Sequence, residues 1–98
     1  MSAYRILLVD DDPFFLQVYG EFLRSRAFEV ETATSGEQAL RVFAPGRFQL
    51  VVVDLIMPGL SGLELIERLR NLNPVQDIIV VTGSEDVRLA VVREYGEE

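Results

Sequence analysis

Ile6-Leu7-Leu8-Val9-Asp10-Asp11-Asp12-Pro13 is the stretch that decides how this chain folds. Four apolar residues run straight into three carboxylates, so a short buried strand stops on a polar turn. Pro13 then suits the first position of a helix, where a missing N–H costs nothing. Two later runs repeat the pattern: Leu50 to Val53 stops at Asp54, and Ile78 to Val81 stops at Thr82. Continuous apolar runs of this kind mark strands covered on both faces. In a parallel sheet with helical crossovers, the carboxyl ends of all strands share one edge, so groups just beyond them converge on one pocket.

The segments between these runs read as helices and one further strand. Phe15, Val18, Tyr19, Phe22 and Leu23 fall on one helical face, giving a helix to about Arg26. Glu29 to Ala33 alternates as a strand exposed on one side. Ser35 with Gln38 forms a capping-box pattern, and Ala39, Leu40 and Phe43 supply the apolar face of a second helix that Pro45-Gly46 ends. Ser61 and Glu64 repeat the box before Leu63, Ile66 and Leu69, in a helix ending near Asn71 to Pro74. Ser84 is expected to cap a last helix, with Val87, Ala90 and Val91 inward, running toward Tyr95 and Gly96. The sum is βαβαβαβα over a single domain, residues 1–98: an α/β fold with a parallel sheet and helices on both faces. Placing the first and third strands side by side opens a switch-point crevice, where Asp10, Asp11 and Asp54 would meet with Thr82 beside them.

Composition narrows the chemistry. Hydrophobic residues make up 49% of the 98 and charged residues 26%, a globular balance. No apolar run approaches the ~20 residues that cross a bilayer, so no membrane contact is expected. Met1-Ser2-Ala3-Tyr4-Arg5 lacks the pattern of a secretion signal, which makes the cytoplasm the expected location. The absence of cysteine and histidine removes disulfides, zinc thiolate sites, thiol catalysis and Ser-His chemistry. A net charge of −7 disfavours nucleic acid as a direct partner, because phosphate neutralisation needs clustered cations. All nine basic residues are arginine.

Three carboxylates in one crevice repel one another; at ~4 Å and an effective dielectric near 20, each pair costs on the order of 4 kcal/mol. Protons or a cation must relieve this. Oxygen ligands without histidine or cysteine favour a hard ion, and Mg²⁺ characteristically takes one or two carboxylates, waters and a phosphate oxygen.

These residues resemble, motif by motif, the receiver domain of two-component response regulators, a chemotaxis-type, flavodoxin-like fold. Ile6 to Pro13 looks like the family's first strand with its acidic pair, at Asp10 and Asp11. Val51-Val52-Val53-Asp54-Leu55-Ile56-Met57-Pro58-Gly59, followed by Ser61-Gly62-Leu63-Glu64-Leu65-Ile66, looks like the phosphoacceptor strand, loop and third helix. Val80-Val81-Thr82-Gly83 resembles the strand end that carries the switch hydroxyl. The resemblance implies that Asp54 accepts a phosphoryl group from the phosphohistidine of a histidine kinase or phosphotransfer protein. It implies that Asp11, Asp54 and the Ile56 carbonyl bind Mg²⁺, with Asp10 acting through a water, and that Thr82 meets the phosphoryl oxygen. It also implies strand order 2-1-3-4-5 with a fifth strand ending in a lysine. Here the expected order is 2-1-3-4, lacking the last βα unit, and the chain has no lysine. Without that unit, an open fourth-strand edge and a bare sheet face beside the first helix lead to an expected homodimer or strand-exchanged assembly.

Plainer readings stand beside these. Asp12 alone reads as a helix cap, and Thr82 alone could merely end a strand. Gly59, Gly62 and Pro58 read as backbone geometry. Phe14, Phe15, Tyr19 and Phe22 read as core or interface, and Glu94 to Glu98 as a solvated tail. Two other functions remain open: a degenerate receiver acting only in protein interaction, and a haloacid dehalogenase-type phosphatase using Asp10, Asp12 and Thr82. The phosphatase leaves Asp54 and the Met57-Pro58-Gly59 loop without a role.

Overall fold

The alternation of apolar runs and capped helices is realised in a computed structural model that describes residues 3–81 in full and the backbone of 82 and 88–91. The elements are β1 (Arg5–Val9), α1 (Pro13–Ser25), β2 (Glu29–Ala33), α2 (Gly36–Val42), β3 (Leu50–Asp54), α3 (Gly62–Leu72), β4 (Asp77–Thr82) and β5 (Arg88–Val91). The sheet order is β2-β1-β3-β4-β5, and the first four strands are parallel. β1 and β3 are therefore neighbours, with Leu7 opposite Val51 and Val9 opposite Val53.

Each helix begins where its sequence places a cap. Asp12 accepts a hydrogen bond from the Phe14 N–H at 3.0 Å ahead of Pro13, Ser35 accepts from the Gln38 N–H, and Ser61 with Glu64 completes a reciprocal capping box. The period-two alternation of the strands then sorts the core. Leu7, Val9, Val51, Val53, Ile78 and Val80 face α2 and α3, where Ala39, Leu65, Ile66 and Leu69 are fully buried. Ile6, Leu8, Val52 and Val81 face α1 and its Leu16. Both sheet faces are apolar, which is why these strands read as unbroken runs and not as alternating ones.

One expectation is overturned. The helix capped by Ser84 does not extend through Arg88 to Val91, which form β5 antiparallel to β4, from Thr82↔Arg88 to Ile79↔Val91. The remainder of that expected helix lies outside the described residues. The physical reason is the edge of β4: a row of unpaired backbone donors and acceptors is costly, and an antiparallel partner can reach it through a short connection. The expected open edge is thereby closed by the chain's own backbone.

Candidate functional site

Two strand ends build the site. Asp10 follows β1 directly, and its N–H donates to the Ala33 carbonyl at 3.1 Å, tying the end of β1 to the end of β2. Asp54 is the last residue of β3, paired with Val81 of β4, and the next amide, Leu55 N–H, donates to the Val81 carbonyl at 3.1 Å. The carboxyl ends of β1 and β3 thus lie side by side. One carboxylate oxygen from each of Asp10, Asp11 and Asp54 lies within 4.8 Å of the others. Asp10 is buried, Asp54 half-buried and Asp11 exposed, so the trio forms a cleft open to solvent on one side.

The electrostatics follow from that placement. Burial pushes the Asp10 carboxyl up to about 6, and the Asp54 and Asp11 charges add to the rise; the Asp12 N–H, 2.9 Å from Asp10 Oδ1, opposes it. Burial likewise raises Asp54, with the Asp11 charge adding. The Ile56 N–H, 3.2 Å from Asp54 Oδ1, and a hydrogen bond with the Asp10 side chain pull the other way. The donor set is oxygen only, clustered and strained when ionised, which fits a hard divalent cation.

The other residues singled out from sequence fall as follows. Asp12 stands outside the trio, its carboxylate spent on the start of α1. The Ile56 side chain points to solvent, 72% exposed, while its backbone N–H braces Asp54. The backbone of Thr82 stands one residue past Val81, the partner of Asp54, and its side chain is not among the described residues.

One support of the site, Glu37, escaped sequence reading, and a second, Gly62, was legible only as backbone geometry. Glu37 on α2 accepts the Leu60 N–H at 3.3 Å, holding the loop that follows Asp54 from 23 residues away. Gly62 lets the start of α3 lie against the end of β3: a Cβ there would collide with the Asp54 carbonyl oxygen and approach the Leu55 Cα and carbonyl oxygen at 2.7 and 2.8 Å. These neighbours are backbone and cannot swing away. Gly62→Ala is expected to cost about 2 kcal/mol, typical of overpacking, and to lower the denaturant midpoint without changing the slope. Unchanged unfolding would show that α3 can withdraw freely.

A doubly wound parallel sheet bearing an acidic trio at its switch point defines an α/β module built around a charged crevice. Within that class the chain belongs to the response regulator receiver domain family, whose model matches residues 6–94. Receiver domains are signalling modules of two-component systems, and they bind Mg²⁺ at an acidic pocket. The chain is 34% identical over 84 residues to the regulatory protein VanRB of Enterococcus faecalis, covering 86% of this chain and 38% of that protein. It is 36% identical over 87 residues to the transcriptional regulatory protein GlrR of Escherichia coli, covering 89% and 20%. Among solved structures, a CheY-like receiver domain protein of Methanospirillum hungatei superposes with a TM-score of 0.80 at 34% identity, over 87% of this chain and 68% of that one. The response regulator TrrA of Thermotoga maritima, solved in complex with Mg²⁺-BeF, superposes with a TM-score of 0.77 at 39% identity, over 84% and 71%. The chain thus spans well under half the length of these curated relatives. No helix among the described residues is long and apolar enough to cross a membrane.

Proposed function

We propose that this chain is a cytoplasmic phosphoacceptor that takes a phosphoryl group onto Asp54 from the phosphohistidine of a histidine kinase or phosphotransfer protein. The observation that carries this reading is the convergence of Asp10, Asp11 and Asp54 within 4.8 Å, with Asp12 turned away to cap α1. A carboxylate oxygen of Asp54 attacks phosphorus, the N–P bond breaks, and its electron pair returns to the imidazole, leaving an acyl phosphate on Asp54. The Ile56 N–H on Oδ1 orients the carboxylate for this attack. Asp11, Asp54 and the Ile56 carbonyl are the residues that would hold Mg²⁺, with Asp10 through a water. When bound, the ion supplies charge neutralisation for the incoming phosphoryl oxygens. Thr82 is assigned the hydroxyl that meets the phosphoryl group. No small-molecule turnover is part of this reading, and nothing supports direct nucleic-acid binding at a net charge of −7.

With no lysine in the chain, the phosphoryl group lacks one charge-assisted contact from within these residues. Phosphorylation is therefore expected to be Mg²⁺-dependent throughout. Incubating the wild-type chain with a small phosphodonor, in Mg²⁺ and separately in EDTA, and measuring intact mass tests this. One phosphoryl adduct in Mg²⁺ and none in EDTA is the expected result. No adduct in either would leave an interaction module with a vestigial pocket, and steady hydrolysis of a phosphate ester would point to the phosphatase.

A further inference from the structure

The turn between β2 and α2 contributes no carboxylate to the acidic trio, yet it is bonded to both sides of the site. On one side the Ala33 carbonyl accepts the Asp10 N–H at 3.1 Å. On the other, Glu37 Oε2 accepts the Leu60 N–H at 3.3 Å, within the loop that leaves Asp54. Leu60 also lies against the first residue of α2: a Cβ at Gly36 would stand 2.9 Å from Leu60 Cδ2 and 3.0 Å from its carbonyl oxygen. The turn itself is braced. Ser35 caps α2 by accepting the Gln38 N–H at 3.0 Å, and Gln38 Oε1 in return accepts the Thr34 N–H at 2.7 Å. A continuous set of contacts therefore runs from Asp10 through residues 33–38 to Leu60.

What these contacts fix is the loop between Asp54 and α3. It is held at its start by the Ile56 N–H on Asp54 Oδ1, in its middle by the buried side chain of Met57, and at its far end by Glu37. Glu37 is exposed, and such a hydrogen bond adds little to global stability once competition with water is counted. Its effect is local. It sets how far residues 56–60 can drift, and with them the amide that orients the Asp54 carboxylate.

We propose that Glu37 is a positioning residue for phosphoryl transfer: by accepting the Leu60 N–H, it holds the loop that keeps the Ile56 N–H on Asp54 Oδ1. This inference rests on Asp54 being the phosphoacceptor. The plainer role for the same side chain is an acidic group in the first turn of α2, favoured there by the helix dipole. The two roles rank the conservative variants in opposite order. Glu37→Gln removes the charge and keeps an acceptor oxygen at the same reach, whereas Glu37→Asp keeps the charge and falls a methylene short of Leu60.

Timing adduct formation on the whole chain by intact mass, with a small phosphodonor in saturating Mg²⁺, separates them, and amide hydrogen exchange at Leu60 and Ile56 reports the loop without reference to activity. Glu37→Asp is expected to slow the adduct about tenfold, less than the roughly hundredfold cost of a 1 Å misplacement because Met57 stays anchored. Exchange at Leu60 and Ile56 should quicken while the sheet amides stay unchanged. Glu37→Gln is expected to recover the wild-type rate and exchange. Glu37→Ala, which cannot reach Leu60 at all, takes the place of Glu37→Asp should that variant fail to fold. A rate unchanged in Glu37→Asp and Glu37→Ala, or a Glu37→Gln as slow as Glu37→Asp, overturns the proposal and leaves the role of Asp54 standing. No adduct on the wild type strikes the phosphoacceptor reading itself, and the role of Glu37 in transfer falls with it.

Discussion

Asp54→Ala is expected to abolish the phosphoryl adduct completely under conditions in which the wild type acquires one. Each neighbouring carboxylate has a reason not to substitute for it. Asp12 is committed to the Phe14 N–H. Asp10 is buried and holds its proton up to about 6, so it offers a poorly accessible oxygen as a nucleophile. Asp11 is exposed, and in the proposed arrangement its oxygen faces the cation. Asp54 alone combines partial exposure with a fixed orientation, its Oδ1 held by the Ile56 N–H at 3.2 Å. Intact mass after treatment with a small phosphodonor and Mg²⁺ reads the outcome. An adduct that persists in Asp54→Ala would move the acceptor elsewhere, and one lost only in Asp10→Asn would revive the phosphatase arrangement. The variant is expected to remain folded, because removing one member of a like-charged trio relieves repulsion.

Three of the four parallel strands were legible because each buried run carries its own stop signal, and those signals coincide with the site, while β2 showed only its alternation. Asp10 and Asp54 end strands that sit side by side, so a rule about strand order was enough to bring together residues 44 positions apart in the chain. The three described helices were legible from Asp12, Ser35 and Ser61, whose side chains satisfy otherwise unpaired backbone donors. What sequence could not supply was tertiary. Val87, Ala90 and Val91 fit a helical spacing, yet residues 88–91 pair with β4 because an edge needs a partner, and that need is invisible in a local window. Gly62 carries the same lesson, since its reason is the closeness of the Asp54 backbone and not a turn of its own. Glu37 reaches Leu60 across two elements and left no trace in the spacing of either segment.

The acidic trio also makes stability run against the usual direction of pH in the absence of Mg²⁺. Asp10 has an ordinary value of 3.8 in the unfolded chain and about 6 in the folded one. Between these values the folded protein binds more protons than the unfolded one, so its stability falls as pH rises. Below 3.8 both states are protonated and the penalty is absent; above about 6 it is fully present. A shift of this size corresponds to about 3 kcal/mol at 1.36 kcal/mol per unit. Asp54 shifts in the same direction and adds to the effect. Urea unfolding in EDTA is therefore expected to show Asp10→Asn more stable than wild type by up to about 3 kcal/mol at pH 7, with the difference closing toward pH 4. Taking the difference between the two proteins cancels the titration of every carboxylate distant from the site. Adding Mg²⁺ is expected to reverse the ranking at pH 7. An ion that binds only the folded trio stabilises the wild type in proportion to the logarithm of its concentration, and Asp10→Asn has lost part of the charge that attracts it. Competition with the proton should weaken that stabilisation as pH falls below about 6. If wild type and Asp10→Asn unfold alike at pH 7 in EDTA, the carboxylates are not in conflict, and the need for a cation that underlies the proposed chemistry disappears with it.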